Sequence, residues 1–468
     1  MNSCSSRGIS AENHSSGPYP DDSVAGCPSG AEEPPSDPRD GLFRQALNPG
    51  VTRREVWSWA MYDFANSGYT TVVLTTVFSA YFVGVVAEGK AWGTLAFTAS
   101  LSLSYLLVMV TMPALGARAD ARAGKRRLLF TSTVGCVVMT ALLSFTGPGD
   151  IVWGLLIIAL SNYCYCVGES IVAAFLPEIA RPQALGRVSG WGWSFGYFGG
   201  MLALGLSLVL VFKADAIGQP ASEYVPQVLL LTAAIFAIAA IPAFLYLRER
   251  TPPSNKPPES LFSRLANAWR DTRDNFPDFR LLLFCGACYQ AGISVVITLS
   301  SVYATQAMGF SMAQTMLLVF TVNIAAAAGA FLFGYAQDKI GHKPALTITL
   351  VGWIIMILLA FVAVQAWLFW VAATVAGLCM GTSQSAGRAM VGALAPRQRL
   401  AEFYALWTFA IQLAAVVGPL CYGVVTLISG GNHRAALLFT GLFFVAGLFM
   451  LARMNFERGV KVRDIMSC

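Results

Sequence analysis

The stretch GARADARAGKRR at residues 116–127 decides the fold, because it places five basic side chains between two uncharged, apolar runs. Clusters of arginine and lysine mark the cytoplasmic side of membrane proteins. The glycines at its two ends allow a sharp reversal of the chain. The stretch therefore predicts a short cytoplasmic loop between two membrane-spanning helices.

A second stretch, GYAQDKIGHKP at residues 334–344, repeats the Gly-x-x-x-Asp spacing of the first. Gly116 and Gly334 are 218 residues apart, as are Asp120 and Asp338. Two later pairs keep an offset of 219 residues: Pro177 with Pro396, and Gly199 with Gly418. The chain is therefore predicted to be an internal duplication of two parallel halves, the arrangement that places a transport site near the middle of the membrane.

The composition excludes a soluble core. Of the 468 residues, 56% are hydrophobic and only 12% are charged, and the mean hydropathy is +0.60. These values predict an all-α polytopic membrane protein surrounded by the lipid bilayer. The net charge of +6 reflects the distribution of Lys and Arg across the membrane, so no nucleic-acid partner is expected.

Twelve stretches are apolar and close to the roughly 20 residues that are needed to cross a bilayer. They cover residues 57–86, 92–115, 128–145, 151–176, 190–212, 227–247, 281–303, 312–335, 344–364, 367–391, 403–429 and 435–454. With both termini inside, only Lys90, Lys213 and Arg434 of the 31 Lys and Arg fall on the outer side. The positive-inside rule therefore favours cytoplasmic termini.

The twelve spans divide the chain into five parts. Residues 1–52 are rich in Ser, Pro, Gly and acids, which predicts a disordered cytoplasmic tail. Residues 53–247 and 281–455 form the two six-helix halves. The cytoplasmic linker between them, residues 248–280, contains apolar residues at helical spacing, which favours an amphipathic helix on the membrane surface. Residues 456–468 form a cytoplasmic tail.

The two basic loops resemble the signature of the major facilitator superfamily, Gly-x-x-x-Asp-(Arg/Lys)-x-Gly-(Arg/Lys)-(Arg/Lys). The second copy fits well, whereas the first has one extra residue between Asp120 and Gly124. The resemblance implies twelve transmembrane helices in two six-helix pseudo-repeats, with loops that gate the cytoplasmic side; plain basic loops are the alternative. The candidate gating residues are Gly116, Asp120, Arg126, Gly334, Asp338, Lys339, Gly341 and Lys343.

Within that superfamily, three stretches resemble the vacuole-effluxer branch, the autophagy-related amino-acid permeases and their bacterial relatives. They are WSWAMYDFANSGYTTVVLTTVFSAYF at residues 57–82, LPE at 176–178 and GRVSGWGWSFGYFGG at 186–200. The resemblance covers about residues 53–455 and implies efflux or exchange of a small polar solute, in the first place an amino acid. The fungal members carry longer insertions, so this compact chain is more similar to the bacterial relatives. A bacterial cytoplasmic membrane is therefore expected, with a vacuolar membrane as the alternative.

Ionisable residues inside a membrane are costly, so each needs a partner, a water-filled cavity or a function. Asp63 lies shortly after the start of the first span, Glu169 shortly before the end of the fourth, and Arg388 near the cytoplasmic end of the tenth. Burial favours the neutral form of a carboxylate, which makes Asp63 and Glu169 the candidates for proton coupling. A structural ion pair with Arg187 or Arg388 is the alternative for these two acids.

Polar side chains recur at helical spacing on the first, fourth, seventh and tenth helices, which the resemblance places around the central path. Arg388 and Gln384 lie one turn apart and can present a charged donor and an amide to a solute carboxylate. The candidate solute-binding residues are Asn66, Tyr165, Gln290, Gln384 and Arg388. Hydrogen bonding between helices is the alternative for several polar positions: Asn66, Asn162, Ser294 and Thr298.

No cofactor or metal is expected. The histidines of the chain, His14, His342 and His433, fall in a tail and two loops, and the sequence contains no phosphate-binding Gly-x-x-x-x-Gly-Lys motif. Transport would therefore be secondary. A membrane hydrolase is the poorer alternative because no histidine is placed to serve as a base. A membrane solute sensor and an exporter of another metabolite or drug remain alternatives, and a monomer is sufficient for each function.

Overall fold

The computed structural model describes residues 45–467 except 89, 91, 251–260, 307, 311 and 431. Residues 1–44 of the predicted tail and the middle of the predicted linker lie outside the described residues. Within these, twelve helices are long and apolar enough to cross a membrane, which confirms the predicted number of spans. They are α1 Arg53–Val86, α2 Gly93–Ala121, α3 Lys125–Leu142, α4 Ile151–Ala173, α5 Leu185–Ala216, α6 Ala221–Tyr246, α7 Pro277–Gln306, α8 Met312–Ile340, α9 His342–Val362, α10 Ala366–Leu394, α11 Leu400–Ile428 and α12 His433–Arg453.

The two halves repeat the same helix packing, as the internal duplication predicts. In the first half, α1 packs on α5 and α6, while α3 and α4 pack on each other. The second half repeats these contacts six helices later, with α7 on α11 and α12, and α9 on α10. Between the halves, α2 packs on α11 and α5 packs on α8. These two contacts are equivalent under the duplication, so each half holds the other in the same way.

Helix α1 widens into a π-type turn over Thr70–Thr76, directly after the segment that carries Asp63 and Asn66. The hydroxyls of Thr75 and Thr76 both donate to the carbonyl oxygen of Thr71, at 2.8 and 2.6 Å. These bonds supply donors to a carbonyl in a region where the regular helical pattern is disturbed. Wide turns of this kind are frequent at functional sites.

The loops after α2 and α8 are shorter than the sequence predicts, and this part of the prediction is wrong. Helix α2 continues to Ala121, so Gly116 and Asp120 lie on a helix rather than in a loop. Gly334 and Asp338 lie on α8 in the same way. The basic cluster drew attention to a loop, but short polar segments with high helix propensity continue an adjoining helix. We call this end of the bundle, with its α2–α3 and α8–α9 turns, the motif face.

The extra residue in the first copy is accommodated within the turn itself. In the second copy, Gly341 reverses the chain with a φ of +93°, a conformation that glycine adopts readily. In the first copy, Ala123 has a φ of 46° and is followed by Gly124, which precedes α3. The insertion therefore lengthens the turn without displacing Asp120 from its helix.

The terminal segments and the linker are more ordered than the sequence predicts. In the predicted N-terminal tail, Ala46 and Leu47 are buried, and Leu47 forms an isolated β-bridge with Ala180. The linker contains a helix, Leu261–Asp274, whose Trp269 ring lies 5.5 Å from that of Phe409. The predicted C-terminal tail is also a helix, Phe456–Ser467. Their apolar patterns are short, so only tertiary contacts reveal this order.

Close helix packing makes Gly381 a sensitive position. A Cβ atom at this residue of α10 would lie 1.9 Å from the carbonyl oxygen of Ala326 in α8. We therefore expect Gly381→Ala to destabilise the fold by about 1–3 kcal/mol through overpacking. Thermal unfolding in detergent measures the effect. Gly423→Ala is the matched control, because nothing lies within 4 Å of its added Cβ; equal loss of stability in both variants would contradict the explanation.

Candidate solute site and gate

Asp63 and Arg388 form a buried ion pair that joins the two halves. The carboxylate comes from α1 and the guanidinium from α10, and Arg388 Nη1 donates to Asp63 Oδ2 at 2.6 Å. Only 9% of the Asp63 side chain and 7% of the Arg388 side chain are exposed. The structural ion pair that the sequence leaves as an alternative is therefore present in this conformation.

Arg388 is also held by Ser189 of α5. Its Nε donates to Ser189 Oγ at 3.1 Å, and its Nη2 donates to the Ser189 carbonyl oxygen at 2.9 Å. The guanidinium carbon lies 4.6 Å from the ring centroid of Trp59 and 5.4 Å from that of Trp193. All three guanidinium nitrogens thus donate to the first half, and two indole faces stabilise the cation.

Gly192 of α5 provides the room for this ion pair. A Cβ atom at Gly192 would lie 2.4 Å from Asp63 Oδ2 and 2.7 Å from Arg388 Nη2. The glycine therefore lets α5 approach α1 and α10 closely at the point where the two charges meet.

Glu169 of α4 is half-buried near this pair, but it lacks a comparable cationic partner. No Lys, Arg or His among the described residues forms a salt bridge with it. Tyr165, one helical turn earlier, interacts with its carboxylate. The Tyr165 ring stacks on Tyr69 of α1, with 5.1 Å between the centroids. Glu169 is consequently the carboxylate near the centre that is not occupied by a guanidinium.

Amide groups lie on the second-half side of the centre. Gln290 of α7 donates through Nε2 to Gln384 Oε1 of α10 at 2.7 Å. Asn66 Oδ1 and Trp193 Nε1 are buried and have no hydrogen-bond partner among the described residues. A buried polar atom without a partner is costly, so such atoms are suited to receive a solute.

The polar positions that have packing as an alternative do not behave alike. Asn162 donates to Ser104 Oγ of α2, at 2.5 Å, which is a bond between neighbouring helices. Ser294 is engaged by another residue, and the Thr298 side chain lies outside the described residues. Asn162 therefore serves helix packing, whereas Asn66 retains an unused acceptor.

Asp120 and Asp338 join the halves at the motif face by capping helices of the opposite half. Asp120 accepts hydrogen bonds from the backbone nitrogens of Ala401 and Glu402, at 3.2 and 3.0 Å, in the first turn of α11. Asp338 accepts from the backbone nitrogens of Gly186 and Arg187, at 3.0 and 3.2 Å, in the first turn of α5. A carboxylate at a helix N-terminus satisfies free N–H groups and complements the helix dipole.

The two caps differ in their cationic partner. Lys125 is fully buried, lies 3.7 Å from Asp120, and also pairs with Glu178. Arg187 Nε lies 3.2 Å from Asp338 and its side chain is 15% exposed. The first contact is therefore shielded from solvent more completely than the second.

The remaining candidate gating residues fall into distinct groups. Gly116 and Gly334 let the crossing helices approach, because a Cβ would lie 2.6 Å from the Ala401 oxygen or 2.8 Å from the Gly186 oxygen. Arg126 donates to the Phe244 carbonyl oxygen at the end of α6. Lys343 donates to the Ala452 and Met454 carbonyl oxygens at the end of α12. The two basic residues thus fasten helices within one half, and Lys339 is exposed.

Several residues of these networks were not predicted. Trp59 lies four residues before Asp63, a spacing that would have placed it on the same helix face. Ser189 carried no such signal. Glu55 of α1 and Asp278 of α7 also have equivalent roles: Glu55 accepts from the Arg248 nitrogen at 3.1 Å, and Asp278 from the Asn455 nitrogen at 2.9 Å. Each acid holds the segment that leaves the last helix of its half.

Comparison with known proteins was consistent with this architecture. Residues 90–463 match the family model described as "Vacuole effluxer Atg22 like". The uncharacterized MFS-type transporter YxiO of Bacillus subtilis (strain 168) is 25% identical over 412 residues, which cover 86% of this chain and 96% of YxiO. Autophagy-related protein 22 of Yarrowia lipolytica (strain CLIB 122 / E 150) is 24% identical and is covered over 57% of its length, against 66% of this chain.

Solved structures share the fold. The crystal structure of the human organic anion transporter MFSD10 superposes with a TM-score of 0.69 at 16% identity, covering 85% of this chain and 99% of MFSD10. At this identity the similarity establishes the twelve-helix architecture of the major facilitator superfamily and leaves the solute to be inferred from the site.

Proposed function

The chain belongs to the vacuole effluxer Atg22-like family of membrane transporters, and we propose that it exports or exchanges amino acids. The family and fold are those of transporters, which move small solutes across a lipid bilayer and are not enzymes. The finer proposal concerns the solute, its direction and its coupling.

The observation that carries the proposal is the juxtaposition of opposite charges with unused polar atoms near the centre of the bundle. Arg388 offers a planar donor for a carboxylate, while the carboxylate of Glu169 suits an ammonium group. The Gln290–Gln384 pair and the Asn66 oxygen add neutral donors and acceptors. A zwitterionic amino acid matches this set better than a sugar, which needs no paired charges, or a simple organic anion, which needs no carboxylate.

In the conformation described here, Asp63 occupies the place on Arg388 that a solute carboxylate would take. We propose that the solute binds by replacing Asp63, so that binding weakens the contact between the halves. A solute can shift a conformational equilibrium only if it binds one state better than the other. Competition for Arg388 provides such a difference, because the ion pair closes the path and the bound solute opens it.

We also propose that the motif face is cytoplasmic and that the membrane is the cytoplasmic membrane of a bacterium, with both termini inside. The concentration of Lys and Arg in the segments at this face supports the orientation. The coverage of nearly all of YxiO, against about half of the longer fungal relative, supports the bacterial setting.

The test is counterflow in proteoliposomes that contain the purified protein. Vesicles loaded in turn with neutral amino acids, sugars, monocarboxylates and polyamines would be assayed for uptake of the labelled counterpart. We expect exchange with one or more zwitterionic amino acids, and competition by amino acids but not by their amides or amines. Exchange with a sugar or a polyamine and none with amino acids would overturn the assignment.

The caps at the motif face give a separate prediction about gating. Asp120→Ala and Asp338→Ala each remove two contacts to a helix N-terminus, and loss of a cap costs about 0.5–2 kcal/mol. We therefore expect the closed state to lose population and turnover to fall severalfold, while solute affinity is kept. Counterflow rates and binding measured on the same preparations separate the two effects. Asp464→Ala, at an exposed carboxylate, is the control; wild-type turnover in both cap variants would remove the gating role.

A further inference from the structure

A groove at the motif face lies between the start of α3 and the end of α6, away from the central site. Its volume is about 890 Å³. The lining contains three arginines, two aromatic rings and one acid: Arg126, Arg127, Arg248, Phe130, Phe244 and Glu249. From this lining we propose that the groove binds the headgroup of an anionic phospholipid of the adjacent leaflet.

The charges in the groove favour an anion. Glu249, the acidic member of the lining, accepts hydrogen bonds from the backbone nitrogens of Lys125 and Arg126, at 3.2 and 3.5 Å. Burial raises the pKa of Glu249, and the charge of Lys125 opposes this. Among the described residues, the guanidiniums of Arg127 and Arg248 form no ion pair with a carboxylate. Two cations are therefore available to a phosphate.

The groove continues into a surface suited to acyl chains. Below Arg127 on α3, Phe130, Val134 and Val138 lie on one helical face and are 44–51% exposed. Below Arg248 on α6, Ile238, Ile241 and Leu245 are 50–67% exposed. A cationic mouth above two apolar stripes matches a phospholipid, with its charged headgroup at the interface and its chains along the helices.

Arg126 is a structural part of the groove. Its donation to the Phe244 carbonyl oxygen closes the floor between α3 and α6, and the Phe130 and Phe244 rings pack edge to face with centroids 5.2 Å apart. Arg127 and Arg248 can accordingly be changed without removing the contact that holds the two helices together.

The experiment compares lipid retention by native mass spectrometry of the full-length protein. Wild-type protein in detergent would be titrated with dioleoyl phosphatidylglycerol or dioleoyl phosphatidylcholine. We expect one phosphatidylglycerol to bind in preference, and the double variant Arg127→Gln with Arg248→Gln to bind it roughly 30-fold more weakly, since each arginine near the surface contributes about fivefold. Phosphatidylcholine binding should not change.

The matched control is Arg118→Gln with Arg122→Gln, which removes the same charge from exposed residues outside the groove. It should keep wild-type affinity. Equal weakening in the control would mean a general charge effect and would overturn the site, as would equal binding of both lipids to the wild type. Displacement of the lipid by millimolar glycerol 3-phosphate would overturn the lipid assignment in favour of a soluble anion site. None of these readouts depends on the solute that the protein carries.

Discussion

Replacing Arg388 with lysine is expected to abolish transport even though the positive charge is kept. Arg388 donates from three nitrogens to Asp63 and to two atoms of Ser189, and one ammonium cannot reach all three with the geometry of a planar guanidinium. Removal of one partner from a buried ion pair costs about 3–5 kcal/mol. Counterflow and thermal unfolding of Arg388→Lys and Arg388→Gln would measure the loss.

A second variant distinguishes the ion pair from a direct role in solute binding. Asp63→Asn combined with Arg388→Gln leaves neither charge buried alone, so its stability should recover relative to Arg388→Gln. Transport should stay absent in this double variant if Arg388 receives the solute carboxylate. Recovery of transport together with stability would show that Arg388 acts only as a link between the halves.

Replacing Glu169 with glutamine is expected to abolish proton-driven accumulation and to leave solute exchange intact. Glu169 has no cation to fix its ionised form, whereas Asp63 is engaged by Arg388, so Glu169 is the better proton carrier of the two. A gradient of one pH unit is worth about 1.4 kcal/mol per proton and supports at most about tenfold accumulation when one proton moves per solute. Glu169→Gln should reduce that accumulation to none.

Asp63→Asn is the companion variant, measured in the same vesicles. It should lose both exchange and accumulation, because it breaks the pair with Arg388 rather than the proton step. Accumulation that survives in both variants would remove these carboxylates from coupling. Loss of both activities in Glu169→Gln would instead assign Glu169 to solute binding or folding.

The sequence predicted the number of spans, the duplication and the positions of the central charges, because each of these is written in local composition or in a fixed offset. It did not predict partners. Asp63 and Arg388 are 325 residues apart in the chain, and no local pattern distinguishes Arg388 from Arg187 as the partner. Lys125 appeared as one of several loop cations, yet it is fully buried beside Asp120 and Glu178. Such choices depend on how helices cross, and this is decided by packing across the whole bundle.

The offset of 219 residues that relates Pro177 to Pro396 also relates Glu169 to Arg388, and Tyr165 to Gln384. The acid and the base at the centre are therefore equivalent positions of the duplicated unit that have come to carry opposite charge. Two identical subunits around the same axis would present two acids or two bases, and would bind a zwitterion equally well in either of two opposed orientations. Fusion into one chain lets the two positions differ. The centre consequently has polarity, so it can hold a dipolar molecule in a single orientation as the halves rock around it.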